Sequence, residues 1–203
     1  MIGVINYGLG IVLAFANIYK RLGIPCKVVS DSKELTTASR IILPGVGSFD
    51  WAIEKLNESG MRDQLEDMVL GCEVPILGVC VGMQIMAKTS DEGSCLGLGW
   101  IDADVKHFQQ RTGGEILRLP HMGWNDVRPL NSDTLFKELD DSLFYFLHSY
   151  YLQPNSNELS LALSHYEIDF TSAVINNNVM GVQFHPEKSH NWGIQLLKNF
   201  SEI

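Results

Sequence analysis

Through the first half of the chain, short unbroken apolar runs alternate with stretches whose apolar residues recur at helical spacing. Ile2–Tyr7 reads as a strand, Gly8–Gly10 as a turn, and Ile11–Leu22 as an amphipathic helix ending at Gly23. Pro25–Ser30 is a short strand, and Arg40–Leu43 (RIIL) is a third, stopped by Pro44. Asp50–Asn57 and Met61–Leu70 carry helical spacing, broken at Ser59-Gly60. Pro75–Val79 is a fourth strand, with a helix predicted over Val81–Lys88. Continuous apolar strands separated by helices predict a parallel sheet covered on both faces.

The second half changes character. Trp100–Phe108, Glu115–Leu119, Asn125–Arg128, Leu143–Leu147, Leu159–Leu163, Ser172–Ile175 and Val179–Phe184 are short strand candidates. Asn176-Asn177-Asn178 suits a hairpin turn between the last two. These strands either extend the sheet edge in antiparallel fashion or form a small second sheet. Asn191–Phe200 closes the pattern with a helix. The fold class expected is α/β: a three-layer sandwich with a mostly parallel central sheet and a β-rich C-terminal half. No repeat or linker interrupts the chain, so one domain over residues 1–203 is expected.

Composition narrows the function classes. The chain has 203 residues, 45 % hydrophobic and 19 % charged, and a net charge of −9. An acidic surface argues against nucleic acid or an anionic membrane as partner. No apolar run reaches 18 residues, and the start carries no signal-like block, so a cytoplasmic protein is expected. Cys26, Cys72, Cys80 and Cys95 form no CxxC pair, which removes a zinc ribbon and a thioredoxin-like couple. Taken singly, each is expected to be a reduced core thiol.

Cys80 departs from that expectation. An apolar strand runs into Gly78-Val79-Cys80-Val81-Gly82 and then into a helix, the pattern of a nucleophile elbow with Cys in place of Ser. Glycines leave room for a sharp turn, and the amide after the nucleophile is placed to stabilise an oxyanion. At the far end, the apolar run Gly181–Phe184 leads to His185-Pro186-Glu187. His185 is the candidate base, and Glu187 would hold its other nitrogen. A drop in activity at acidic pH, as His185 takes up a proton, is expected from that role. Pro44-Gly45-Val46-Gly47 is a second Gly-rich loop, able to aim N–H groups at an oxyanion or to serve as a plain turn. Gly8-Leu9-Gly10 is a poor phosphate loop.

Together, Gly78–Gln84, His185–Glu187 and Pro44–Gly47 resemble the class I, triad-type glutamine amidotransferases. Leu43–Phe49 (LPGVGSF), Pro120–Asn125 (PHMGWN), Phe146–Tyr151 (FLHSYY) and Gly181–Ser189 (GVQFHPEKS) narrow the resemblance to the glutaminase subunits of imidazole glycerol phosphate synthases. It spans nearly the whole chain. The resemblance implies glutamine hydrolysis to glutamate and ammonia through a Cys80 thioester, with His185 and Glu187 completing the triad. It implies an oxyanion hole of Val81, Val46 and Gly47, and substrate contacts from Gln84, Glu92, Ser149 and Tyr150. No metal or cofactor is implied. The implied partner is a (β/α)₈-barrel cyclase subunit in a heterodimer, met by Met122, Trp124, Asn125 and Lys188. For Trp124 a core position and an interface position both suit its neighbours.

The N-terminal motif common in that family, Asp-Tyr-Gly-x-Gly-Asn, stands here as Asn6-Tyr7-Gly8-Leu9-Gly10-Ile11. These changes leave the triad untouched but alter the surface expected to meet a partner. Near relatives supply ammonia to a surface-sugar amidation enzyme instead, and that acceptor stays open at this point. Two other classes are an idle scaffold, against which all three triad residues argue, and a Cys-His peptidase.

Overall fold

The computed structural model describes residues 1–108 and 118–203. Its N-terminal half runs β1 (Ile2–Ile5), α1 (Val12–Leu22), β2 (Cys26–Val29), α2 (Ser32–Leu35), β3 (Arg40–Gly45), α3 (Phe49–Glu58), α4 (Arg62–Glu66), β4 (Ile76–Cys80) and α5 (Val81–Gln84). The rest is β5 (Thr89–Ser90), β6 (Ala103–His107), β7 (His121–Pro129), β8 (Ser142–His148), β9 (Tyr150–Pro154), β10 (Ser160–Tyr166), β11 (Ile168–Asn176), β12 (Val179–Val182) and α6 (His190–Glu202).

The described strands form one 12-stranded sheet with the path β2-β1-β3-β4-β12-β11-β10-β7-β8, while β5, β6 and β9 join from the side. Pairing from β2 to β12 is parallel, and from β12 to β8 it is antiparallel. The chemistry of the strands follows this division. Every residue of β1, β4 and β12 is buried, as strands between two helical layers must be. In β8 burial alternates, because one face of that ribbon looks outward. The β-rich half therefore extends the sheet and does not form a separate one. Asn177 takes φ 54° in the tight turn where Asn176 and Val179 pair, so the expected hairpin is present.

Several boundaries differ from the sequence expectation for physical reasons. β3 continues through Pro44 to Gly45, because its pairing with β1 ends at Ile42 and leaves only β4 alongside. The helix expected over Val81–Lys88 stops at Gln84. The Met86 and Ala87 amides bond only three residues back, to the Met83 and Gln84 carbonyls, and the Lys88 amide donates to the Ala103 carbonyl, so the turn tightens and the chain leaves the helix. The Met61–Leu70 helix passes from α4 into a π turn at Asp67–Gly71. β9 is a strand the sequence pattern did not assign: the strand expected at Leu143–Leu147 ends before it. Of the strand expected at Glu115–Leu119, Glu115 to Leu117 lie outside the described residues, and Arg118 and Leu119 are in no strand.

The cysteines also need correction. Cys80 is buried, Cys26 and Cys95 are half-buried, and Cys72 is exposed, all four with free thiols. Only the one with candidate chemistry is a core residue. Among the described residues no helix is long and apolar enough to cross a membrane.

Candidate functional site

β4 ends at Cys80, whose backbone sits at φ 55°, ψ −115°. A side chain there is strained by about 1–3 kcal/mol, so the surroundings must impose it. Two close approaches do so. A Cβ on Gly82 would collide with the Leu43 carbonyl oxygen, and one on Gly45 would come within 2.5 Å of the Gly82 nitrogen. With glycine at both places, β3 and the elbow press together and drive the Cys80 side chain outward. α5 is too short for a substantial helix dipole, so the local amides matter more than the helix.

β12 lies beside β4 in parallel register, Val182 opposite Val79, so the chain beyond each strand emerges at the same sheet edge. That places His185 beside Cys80 in the wall of one cavity. The Pro186–Lys188 turn folds Glu187 back beneath the ring. His185 Nδ1 is 2.8 Å from Glu187 Oε1, and both side chains are 3 % exposed. The His185 backbone is fixed by its N–H donating to the Tyr145 carbonyl and its carbonyl accepting from Ser189 Oγ. Burial opposes charge on the His185 ring. Interaction with Cys80 and with Glu187 outweighs it and raises the imidazole to about 10.

That direction corrects the expectation of an acid limb set by His185: the ring already carries its proton at neutral pH. It also fixes a sign for stability. A group raised above its unfolded value contributes stability that is whole below the unfolded value, near 6.5, and is lost as pH rises through about 10. We expect denaturation midpoints of the protein and of His185→Gln to diverge most at or below neutral pH and to converge between pH 7 and 10.5. A gap that widens with rising pH would contradict the assignment.

Cys80 and His185 open into a cavity of about 280 Å³. Its wall brings together Val46, Gly47, Val81, Gln84, Glu92, Ser149, Tyr150 and Lys188 from the sequence reading, and adds Pro120, Leu147 and His148. Gly47 has φ 110°, backbone suited to glycine. Glu92 is not a free loop charge. Its Oε2 accepts from the Phe49 amide at the start of α3, while Asp50 accepts from the Ser94 and Cys95 amides in return. This reciprocal clamp holds the Glu92 loop against the cavity. Gln84 Nε2 donates to the Tyr150 carbonyl and to Gln183 Oε1. Gln183 was missed in the sequence. It is fully buried, and its Nε2 lies 3.7 Å from Cys80 Sγ. The signal was a lone amide inside the apolar run Gly181–Phe184.

The proposed partner residues divide. Met122 (64 % exposed) and Trp124 (44 %) share the outer face of β7. Opposite them on β8 stand Leu147 and Tyr145. Trp124 stacks on His190 at 5.3 Å, and Lys188 Nζ lies 5.8 Å from the Tyr145 ring centre. Leu147 and Lys188 also line the cavity, so this apolar face borders its mouth. Asn125 points the other way, donating to the His165 carbonyl inside the ribbon. Alternation along a strand demands that, so Asn125 does not belong to the outer face. Ile11 and Leu13 are both exposed on the α1 side.

A buried thiol against an imidazole, itself held by a carboxylate, is an arrangement for nucleophilic acyl transfer. Among the described residues no cluster of three or more His, Cys, Asp or Glu is placed to hold a metal ion. A family model described as "Glutamine amidotransferase class-I" matches residues 3–202. The chain is 55 % identical to "Imidazole glycerol phosphate synthase subunit HisH" of Bdellovibrio bacteriovorus, across 100 % of both chains. It is 46 % identical to the protein of that name from Leptospira interrogans, again across 100 % of both. A solved structure described as a glutamine amidotransferase superposes with a TM-score of 0.76 at 20 % identity, covering 100 % of this chain and 99 % of that one, which shows a shared fold. The chain belongs to the class I glutamine amidotransferase family.

Proposed function

We propose that the protein is the glutamine-hydrolysing subunit of an imidazole glycerol phosphate synthase, releasing ammonia for histidine biosynthesis. The observation that carries this reading is the line Cys80–His185–Glu187 at the floor of a cavity whose mouth is an exposed apolar face. The full-length relatives named as that enzyme's subunit favour a cyclase over a sugar-amidating acceptor.

The geometry supports one sequence of steps. Glutamine enters with its α-amino group toward Glu92 and its α-carboxylate toward the Ser149–Tyr150 backbone. Gln84 contacts the bound substrate. Cys80 Sγ adds to the side-chain amide carbon, and the Val81 amide and the Val46–Gly47 peptide stabilise the oxyanion. His185 passes its proton to the departing nitrogen, the C–N bond breaks, and ammonia leaves a glutamyl thioester. Water then attacks that carbonyl, His185 takes its proton, and glutamate is released with the thiol restored. Ammonia set free in bulk water is protonated at neutral pH and lost as a nucleophile. A (β/α)₈-barrel cyclase seated on Met122, Trp124 and Lys188 as a heterodimer would receive it directly.

The test mixes the protein with the barrel-type cyclase of its own host and follows glutamine turnover and co-elution. One-to-one co-elution and faster turnover are expected. Trp124→Ala should weaken binding by roughly 2 kcal/mol, about thirtyfold in Kd. No turnover of glutamine with or without the cyclase would sink the reading.

A further inference from the structure

Two histidines outside the proposed triad join the cavity wall to the interior of the β7–β8 ribbon. His148 Nδ1 is 2.7 Å from the Tyr150 carbonyl oxygen. A carbonyl only accepts, so Nδ1 carries the proton. Burial lowers His121 to about 4 and, more strongly, His148 to about 3, so each ring is neutral at pH 7 and holds one proton. His148 Nε2 is therefore bare. It lies 2.9 Å from His121 Nδ1, which must then be protonated. That leaves His121 Nε2 bare, 3.2 Å from Asn125 Nδ2, a donor. The orientation of the Asn125 amide is fixed independently: Nδ2 donates to the His165 carbonyl at 2.8 Å, and Oδ1 accepts from the Asp126 amide at 2.8 Å. Every proton along this line has one place.

At its other end the line reaches the nucleophile. The Tyr150 carbonyl accepts from both His148 and Gln84, Gln84 donates onward to Gln183, and Gln183 donates to Cys80 Sγ. Packing holds the rings in place. His121 is stacked between Phe146 (4.8 Å, 23°) and Tyr166 (4.1 Å, 20°). An apolar ring would fill the same space without polar groups to satisfy, so the histidines supply direction and not volume.

We propose that His121 and His148 are positioning residues for the Cys80 centre: their one-directional hydrogen-bond chain fixes the Tyr150 carbonyl and, through Gln84 and Gln183, the setting of the thiol. The proposal rests on the glutaminase reading above. Two measurements test it. Imidazole ¹⁵N shifts of the unmodified protein at pH 7 should show both rings neutral and protonated at Nδ1. Either ring found protonated at Nε2, alone or as imidazolium, breaks the chain and overturns the proposal. The second compares His121→Phe with His121→Asn. The former keeps a flat ring between Phe146 and Tyr166 but loses both hydrogen bonds, and the latter can place an amide N–H where Nδ1–H stood. His121→Phe should lower kcat/KM for glutamine by about tenfold to a hundredfold, while His121→Asn recovers most of it. Equal losses in the two variants, or a loss under about twofold in His121→Phe, overturn the proposal. If the unmodified protein neither hydrolyses glutamine nor is labelled at Cys80 by a glutamine-like electrophile, the glutaminase reading fails, and the shift measurement still decides the chain.

Discussion

Cys80→Ala should abolish glutamine hydrolysis, with a fall of about four orders of magnitude or more, while the protein stays folded. The size of the effect follows from covalent catalysis. Without sulfur no thioester forms, and binding plus the oxyanion amides leave only a residual rate. Folding should survive because the elbow is held by Gly45 and Gly82 pressing on each other, not by the thiol. The strain at φ 55° gives the experiment an internal control. Alanine keeps a Cβ in that conformation and glycine does not. Cys80→Gly should therefore match or exceed Cys80→Ala in stability despite its smaller side chain, by up to about 1 kcal/mol. Both variants should be equally inactive. The checks are ammonia release and denaturant unfolding, and substantial turnover by either variant would remove Cys80 from the chemistry.

Much of the site was legible because the chemistry that makes an elbow also constrains its sequence. Glycines at 78 and 82, an apolar strand before them and His-Pro-Glu after another such strand are local patterns. The fold brings Cys80, Val81 and His185 to one cavity wall, beside Gln84, Glu92, Ser149 and Tyr150, which only the family resemblance had named. What escaped the sequence was decided by tertiary partners. α5 ends at Gln84 because the Lys88 amide, which a longer helix would bond to the Gln84 carbonyl, donates to the Ala103 carbonyl at the start of β6. β9 went unassigned because the break at Ser149 accompanies a change of partner, from β7 to β6 and β11, that no local pattern announces. Gln183 is silent until Gln84 and Cys80 come to it from other strands. The inward turn of Asn125, by contrast, was available from alternation alone once β7 is taken to begin at His121. The half-buried and exposed states of Cys26, Cys95 and Cys72 show that a residue type's usual burial is a weak guide for any one copy.

Glu187 offers the sharpest separation of geometry from charge. Glu187→Gln keeps size and shape, so whatever it changes comes from the carboxylate. A carboxylate only accepts, which forces the proton of a neutral His185 onto Nδ1 and leaves Nε2 to face Cys80. Glutamine removes that compulsion in one of two ways. With its oxygen toward Nδ1, its new NH₂ group falls where Glu187 Oε2 now sits, buried with no hydrogen-bond partner among the described residues. That leaves an unsatisfied donor. With the amide reversed, NH₂ meets Nδ1 and disfavours a proton there, so the protonated ring facing Cys80 loses its support. Either way His185 loses its counter-charge. Its value falls from about 10, and because the protonated ring must supply the proton to the departing nitrogen, activity should show an alkaline limb that moves to lower pH in the variant. We expect kcat/KM for glutamine to drop about 10³- to 10⁴-fold, the scale seen when a triad acid becomes an amide. Denaturation at pH 7 should change far less, because the volume is conserved. An activity above about one-tenth of the parent, with an unmoved alkaline limb, would leave Glu187 as packing and His185 oriented by something else.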